Sequence, residues 1–191
     1  YSDFALDDRI AEQLAVDVSL SSAIQVRFGN SNAFNVTAST LIPLMRDHEM
    51  GGVYICASVG AAERIEEFKS IGLSDEYISR IQFIDLVSSG ILCGTDVEHS
   101  NIHFVDSPIM LESVLLRTLY ILRVTTSVRN FVFLDSVNAL AIYNDERMLA
   151  EYLHTFINTF RQREVLSVIL NVPDQTPPLV LATLDLYCTD L

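Results

Sequence analysis

The sequence predicts an α/β fold, namely a three-layer α/β/α sandwich with a mostly parallel sheet. Strand-like and helix-like segments alternate along the 191 residues, and several of the strand segments are continuously apolar. Alternating elements favour parallel strands covered by helices on both faces, and strands buried in this way carry unbroken apolar runs. No repeat or linker interrupts the pattern, so we expect a single domain over residues 1–191, in which residues 1–22 form a helical extension.

The strand segments are short and rich in β-branched and aromatic residues. They are predicted at residues 23–28, 53–56, 81–86, 101–106, 131–134 and 165–170, with a further strand from residue 189. The helix segments repeat apolar residues at spacings of three and four. They are predicted at residues 3–16, 35–48, 61–71, 107–124, 145–163 and 177–187. The segment 107–124 is apolar nearly all round, so we expect its helix to be deeply packed.

The composition excludes several classes of function. The formal net charge is −13, and Lys69 is the single lysine beside eleven arginines. Proteins that bind nucleic acid need a basic face that displaces counterions from phosphates, and no cluster here could form one. No apolar run approaches the roughly 20 residues that span a bilayer. Three separated cysteines without a CxxC motif indicate reduced thiols, so we expect a cytoplasmic protein that binds neither nucleic acid nor membrane.

The first strand leads into a helix through the loop where a nucleotide-binding protein would place its phosphate site. A P-loop needs the pattern G-x-x-x-x-G-K-[ST], because the lysine neutralises phosphates and the hydroxyl group binds Mg²⁺. Here Gly29 matches the first glycine and Phe34 replaces the second. Asn35 and Val36 replace the lysine and the hydroxyl residue, and Thr37 offers a hydroxyl group one position later. A plain turn also accounts for the glycine.

The apolar strand at 131–134 ends in Asp135 and Ser136. In P-loop enzymes an aspartate at the end of such a strand holds Mg²⁺, so Asp135 is the candidate metal residue if Mg-nucleotide binds. An aspartate at a strand end can also cap the following turn, and the sequence leaves both interpretations open. The serine-nucleophile pattern G-x-S-x-G is absent, and no dinucleotide pattern G-x-G-x-x-G follows the first strand.

Residues 131–144, FVFLDSVNALAIYN, resemble the Walker B strand and its sequel in the RecA/KaiC superfamily, particularly in divergent archaeal KaiC-like proteins. Residues 51–55, 68–72 and 81–85 are similar to segments around that family's second and third strands. The resemblance covers about residues 23–191. It implies a RecA-like core in which the Walker A motif has degenerated.

The resemblance also implies two catalytic features that this chain lacks. The P-loop lysine and hydroxyl residue fall at Asn35 and Val36. Active KaiC-like ATPases place glutamates just after the second strand to activate water, whereas here no carboxylate occurs before Glu63. We therefore expect a pseudo-ATPase rather than an enzyme. The residues of its vestigial nucleotide site would be Gly29, Asn35, Thr37, Asp135 and Ser136.

Two functions remain open at this point. The first is a non-catalytic domain without a cofactor, which acts as a regulatory or scaffolding module by contacting a protein partner or by self-association into a dimer or a ring. The alternative is a nucleotide-responsive ATPase that retains Asp135 as its Walker B residue, binds ATP and Mg²⁺, and uses a basic residue of a partner.

We predict that the purified protein does not bind DNA or RNA, because approach to a polyphosphate is repulsive at a net charge of −13. A gel-shift titration at about 50 mM salt, which favours electrostatic binding, should show no shift up to about 10 μM protein, a range in which nonspecific binders already associate. Salt-sensitive binding in that range would contradict the prediction.

Overall fold

The computed structural model describes residues 9, 10, 12, 22–29, 33–88, 101–105, 111–125 and 129–190. Its strands are β1 (Ala23–Arg27), β2 (Gly51–Cys56), β3 (Ile81–Asp85), β4 (Ile102–Phe104), β5 (Asn130–Leu134), β6 (Leu166–Asn171) and β7 (Thr189–Asp190). They form one sheet in the order β4-β3-β2-β5-β6-β1-β7. Every pair of neighbouring strands is parallel, as the alternating pattern predicts.

The helices of the described residues cover both faces of this sheet, which confirms the predicted sandwich. They are α1 (Ala33–Arg46), α2 (Ala61–Ser70), α3 (Asp75–Ser79), α4 (Leu111–Val124), α5 (Val137–Tyr143), α6 (Glu146–Gln162) and α7 (Pro178–Tyr187). None of them is long and apolar enough to cross a membrane.

Two apolar cores lie on opposite sides of the sheet, because successive strand residues point to opposite faces. Helices α1 to α3 pack on one face, where Tyr54 of β2 stacks on Phe133 of β5 with ring centres 5.1 Å apart. Helices α4 to α7 pack on the other face. Between β2 and β5, Gly52 lies so close to its neighbour that a Cβ atom would collide with the backbone carbonyl of Phe131.

Two short helices were not predicted from the sequence. Helix α3 has five residues and α5 has seven, which is too short for an apolar period of 3.6 to be recognised. Most of the predicted extension at residues 1–22 lies outside the described residues. Residues 9, 10 and 12 are helical, and Ile10 packs against the core beneath α1 to α3.

The prediction that the helix at 107–124 is deeply packed is wrong for the described part, α4. This helix buries one side against the sheet and leaves the other side uncovered. Leu116, Tyr120 and Val124 are 66%, 61% and 61% exposed. The helix therefore has two apolar sides, and the described residues cover only one of them.

We predict that Phe156→Ala lowers the free energy of unfolding by about 3–5 kcal/mol, through lost transfer energy and a residual cavity. Phe156 is fully buried in α6, and its ring contacts Phe160 edge to face at 4.8 Å. Urea denaturation followed by circular dichroism would measure the change. The exposed Thr155→Ala on the same helix serves as control and should shift the value by less than about 0.5 kcal/mol. Similar stabilities of the two variants would contradict the prediction.

Candidate functional site

The chain leaves β2 and β5, two neighbouring strands in the middle of the sheet, toward opposite faces of the sheet. After β2 the chain enters α2, on the face of α1 and α3, whereas after β5 it enters α5 on the other face. Such a switch point at the carboxyl ends of parallel strands is where α/β proteins bind ligands. Asp135 and the loop of residues 57–60 meet at this point, because the Asp135 side chain accepts hydrogen bonds from Ala57 and Ser58.

Asp135 is buried, with 4% of its surface exposed. Its Oδ1 accepts a hydrogen bond of 2.8 Å from the amide of Ala57. Its Oδ2 accepts hydrogen bonds from the hydroxyl groups of Ser58, at 3.1 Å, and Tyr54, at 3.3 Å. Arg64 completes the set, with Nη2 3.8 Å from Oδ2. Both oxygens are therefore engaged by groups of β2, the following loop and α2.

Arg64 is 3% exposed because it lies on the buried stripe of α2. The residues of that stripe recur at helical spacing and are Ala61, Arg64, Ile65 and Phe68. Besides Asp135, the guanidinium group contacts Glu67 at 3.3 Å and lies 5.6 Å from the centre of the Phe34 ring. Among the described residues its Nε has no hydrogen-bond partner. The arginine thus connects the end of β5 with the start of α1.

Burial and charge fix the protonation states of this cluster. Burial raises the pKa of Asp135, while Arg64 and the hydrogen bonds that the carboxylate accepts lower it in part. Burial and the adjacent Asp135 carboxylate raise the pKa of the Tyr54 phenol and of the Cys56 thiol well above their usual values. At neutral pH the phenol is therefore protonated and able to donate to the carboxylate.

A second buried carboxylate holds the other end of the same loop. Asp85 ends β3, and its Oδ2 accepts a hydrogen bond of 2.8 Å from the amide of Ala61, the first residue of α2. Its Oδ1 accepts from the amides of Val87, at 2.8 Å, and Ser88, at 2.9 Å. An anion at this position also interacts favourably with the helix dipole. The loop after β2 is thus held by Asp135 at its start and by Asp85 at its end.

The residues predicted for the P-loop region have local contacts. A Cβ atom at Gly29 would meet nothing within 4 Å, so close packing does not require a glycine there. The hydroxyl group of Thr37 donates to the carbonyl of Ala33 at 2.8 Å, one turn earlier in α1. The side-chain oxygen of Asn35 accepts a hydrogen bond of 3.3 Å from the hydroxyl group of Ser39.

Phe34 stands where a P-loop has its second glycine. Its ring packs against Phe68 of α2, with the ring centres 5.7 Å apart, and against the guanidinium group of Arg64. A nucleotide-binding loop keeps this region free of side chains so that its amides can approach phosphates. In this chain the same position carries an aromatic side chain that packs onto α2.

Ser136 and Asp135 have separate roles. The Ser136 side chain caps α5 by accepting a hydrogen bond of 3.1 Å from the amide of Ala139, and it donates to Asn138 Oδ1 at 3.0 Å. Asp135 binds backward to β2 and its loop, so the turn that follows β5 is capped by the serine. The structure therefore brings Asp135 next to Arg64, which also lies over the Phe34 ring, whereas Ser136 belongs to the start of α5.

The Asp135 carboxylate is poorly suited to hold Mg²⁺, which requires a regular octahedron of oxygen ligands. Its two oxygens already accept three hydrogen bonds, and the positive charge of Arg64, 3.8 Å from Oδ2, would repel a divalent cation. Within the described ranges no group of three His, Cys, Asp or Glu side chains could hold a metal ion.

Sequence reasoning identified Asp135 and missed the residues that bind it. The sequence did contain a signal for Arg64. This basic residue lies three positions after Ala61 and directly before Ile65, on the apolar stripe of the helix. Tyr54 gave no signal, because an aromatic residue inside an apolar strand fits a core equally well.

The parallel sheet covered by helices on both faces is a RecA/KaiC-like fold. A similar solved structure is that of a KaiC-like protein from the hyperthermophilic archaeon Pyrococcus horikoshii, with a TM-score of 0.57 and 13% sequence identity over 84% of this chain. The chain spans 65% of the length of that protein. No protein-family model matches the sequence, and no curated protein matches it.

We predict that Arg64→Met lowers the free energy of unfolding by about 3–5 kcal/mol, because it leaves the buried Asp135 carboxylate unpaired. Adding Asp135→Asn should restore part of the loss, since the remaining group is then neutral. The measurement is a double-mutant cycle by urea denaturation. Strictly additive effects would contradict the pairing. Arg80→Met is the control, because Arg80 is only half-buried and its partner Glu76 is exposed, and its loss should be below about 1 kcal/mol.

The loss of unfolding free energy in Arg64→Met should also depend on pH. The folded-state pKa of Asp135 is raised, so the folded state binds this proton more tightly than the unfolded chain, and stability falls as pH rises through that pKa. Removing the arginine raises the pKa of Asp135 further. The deficit of the variant relative to the native protein should therefore shrink as the pH is lowered from neutrality. A deficit that is constant or grows on acidification would contradict this assignment.

Proposed function

We propose that this RecA/KaiC-like domain is a non-catalytic module that acts through protein contact in a regulatory or scaffolding role. The observation that carries the proposal is the set of contacts around Asp135. The carboxylate that would hold Mg²⁺ in an ATPase is bound by Arg64, Tyr54, Ser58 and the amide of Ala57, all from its own chain.

Three further features support the absence of hydrolysis. Asn35 and Val36 stand in place of the phosphate-binding lysine and the Mg²⁺-binding hydroxyl residue. The loop of residues 57–60 offers no carboxylate to activate water. Removing one preorganised group that stabilises developing charge costs about 10²–10³ in rate, and this chain lacks several such groups at once.

The alternative function needs a basic residue beside the degenerate P-loop. Arg64 does reach Phe34, at 5.6 Å, but its charge is matched by Asp135 and Glu67. Binding a polyphosphate there would require the guanidinium group to leave the buried carboxylate, which would then be uncompensated. Arg64 therefore does not supply this basic residue from within the chain, and the nucleotide-responsive alternative depends on a basic residue of a partner.

We predict that the purified protein binds ATP with a dissociation constant weaker than roughly 1 mM, equivalent to less than about 4 kcal/mol of binding free energy, with or without Mg²⁺. Isothermal titration calorimetry would measure this. Phosphate release should stay at the level of a buffer blank. Micromolar binding, or turnover near 1 s⁻¹ that disappears in a folded Asp135→Asn variant, would establish the nucleotide-responsive alternative instead.

A further inference from the structure

One of the two helical layers carries nearly all of the uncovered apolar surface. Among the residues that the structure describes, nine large apolar side chains are exposed, of which eight lie on α4 to α7 and none on α1 to α3. Both layers cover their own face of the sheet with a continuous core. The excess apolar surface on the α4–α7 layer is therefore not needed to close the described fold.

The outer side of α4 is the first of two patches on this layer. Leu116, Tyr120 and Val124 recur every four residues and are 61–66% exposed. Arg117 and Arg123 are exposed beside them, and neither takes part in an ion pair with a described residue. With two basic residues and one acidic residue, α4 carries a charge of +1 in a chain of −13. We call this surface the α4 patch.

The second patch lies where α5 turns into α6. Ile142, Tyr143 and Met148 are 76%, 58% and 63% exposed. Glu151, one turn along α6 from Met148, is also exposed. Positions 145–151 contain three acidic residues and one basic residue, so their net charge is −2. We call this surface the corner patch. It has the same apolar character as the α4 patch and the opposite charge.

We propose that two copies of this chain pair face to face, so that the α4 patch of each copy packs on the corner patch of the other. This inference deepens the proposed function, which requires a protein-binding surface, and names a second copy as the occupant. Both patches lie on one helical layer, so a two-fold axis between them forms both contacts at once. Such isologous contacts close the assembly at a dimer.

The area available matches what a stable dimer needs. A fully exposed large apolar residue presents roughly 200 Å². The six apolar residues of the two patches, which are 58–76% exposed, therefore present roughly 800 Å² per copy. Each partner of a standard protein–protein interface buries about this area. An unrelated basic protein would suit the corner patch but would meet Arg117 and Arg123 on the α4 patch.

The test is the dissociation constant of the dimer, measured by sedimentation equilibrium from about 1 to about 100 μM protein. The native protein should be dimeric within this range. Tyr120→Ser and Ile142→Ser should each weaken the dimer at least roughly thirtyfold, as for central interface residues. Leu186→Ser is the matched control, because this side chain is 74% exposed on α7 and lies outside both patches. It should change the constant less than about threefold.

A charge exchange tests which patches face each other. The variant Arg117→Glu/Arg123→Glu should weaken the dimer, and so should Glu151→Arg. The triple variant keeps the acidic α4 patch and changes the charge of positions 145–151 from −2 to 0, so it should form a tighter dimer than Arg117→Glu/Arg123→Glu. Circular dichroism should show that all variants are folded.

A native monomer across the range, equal weakening by Leu186→Ser, or a triple variant no tighter than Arg117→Glu/Arg123→Glu would each overturn the pairing. None of these results would affect the proposed lack of catalysis, which the ATP titration judges separately.

Discussion

The buried pair of Arg64 and Asp135 is the interaction on which the junction between β5, β2 and α2 depends. Removing a carboxylate and a guanidinium group from water costs several kcal/mol for each ion, and their mutual attraction and hydrogen bonds offset that cost. The net gain in stability is small, but losing one partner is expensive because the other stays buried and charged. The pair therefore acts mainly as a constraint. It fixes the end of β5 relative to β2, the following loop and α2.

The same arrangement recurs where β6 and β1 send the chain to opposite faces. Asn171, at the end of β6, donates to the side-chain oxygen of Gln25 in β1 at 3.2 Å and accepts from Thr176. Gln25 in turn donates to Asp185 of α7 at 3.0 Å. The polar side chains at both places, between β2 and β5 and between β6 and β1, thus form hydrogen bonds within the chain. In this chain these groups connect strands to helices and to neighbouring strands.

The sequence was sufficient for the order of the strands and the longer helices, and insufficient for what each one faces. Apolar runs identified β5, and a stripe of three- and four-residue spacings identified α6, because both signals arise from burial within a local segment. The packing of α4 was misjudged because periodicity records that two sides of a helix are apolar without showing whether a neighbour covers both. Asp135 was identified at a strand end, but its partner Arg64 comes from a different crossover, and no local pattern relates the two.

The hydrogen bonds that Asp135 and Asp85 accept from the two ends of the loop after β2 restrict the motion of this loop. In enzymes of this architecture, loops at the carboxyl ends of strands open and close, because they are among the least stable parts of the molecule. Here the amides of Ala57 and Ala61 donate to two buried carboxylates, and lifting the loop would leave both anions without these donors. Opening this loop would therefore cost these two hydrogen bonds to buried carboxylates. If the domain transmits a signal, as proposed, we expect the signal to pass through the helical layers, because the loop after β2 is fixed by two buried carboxylates.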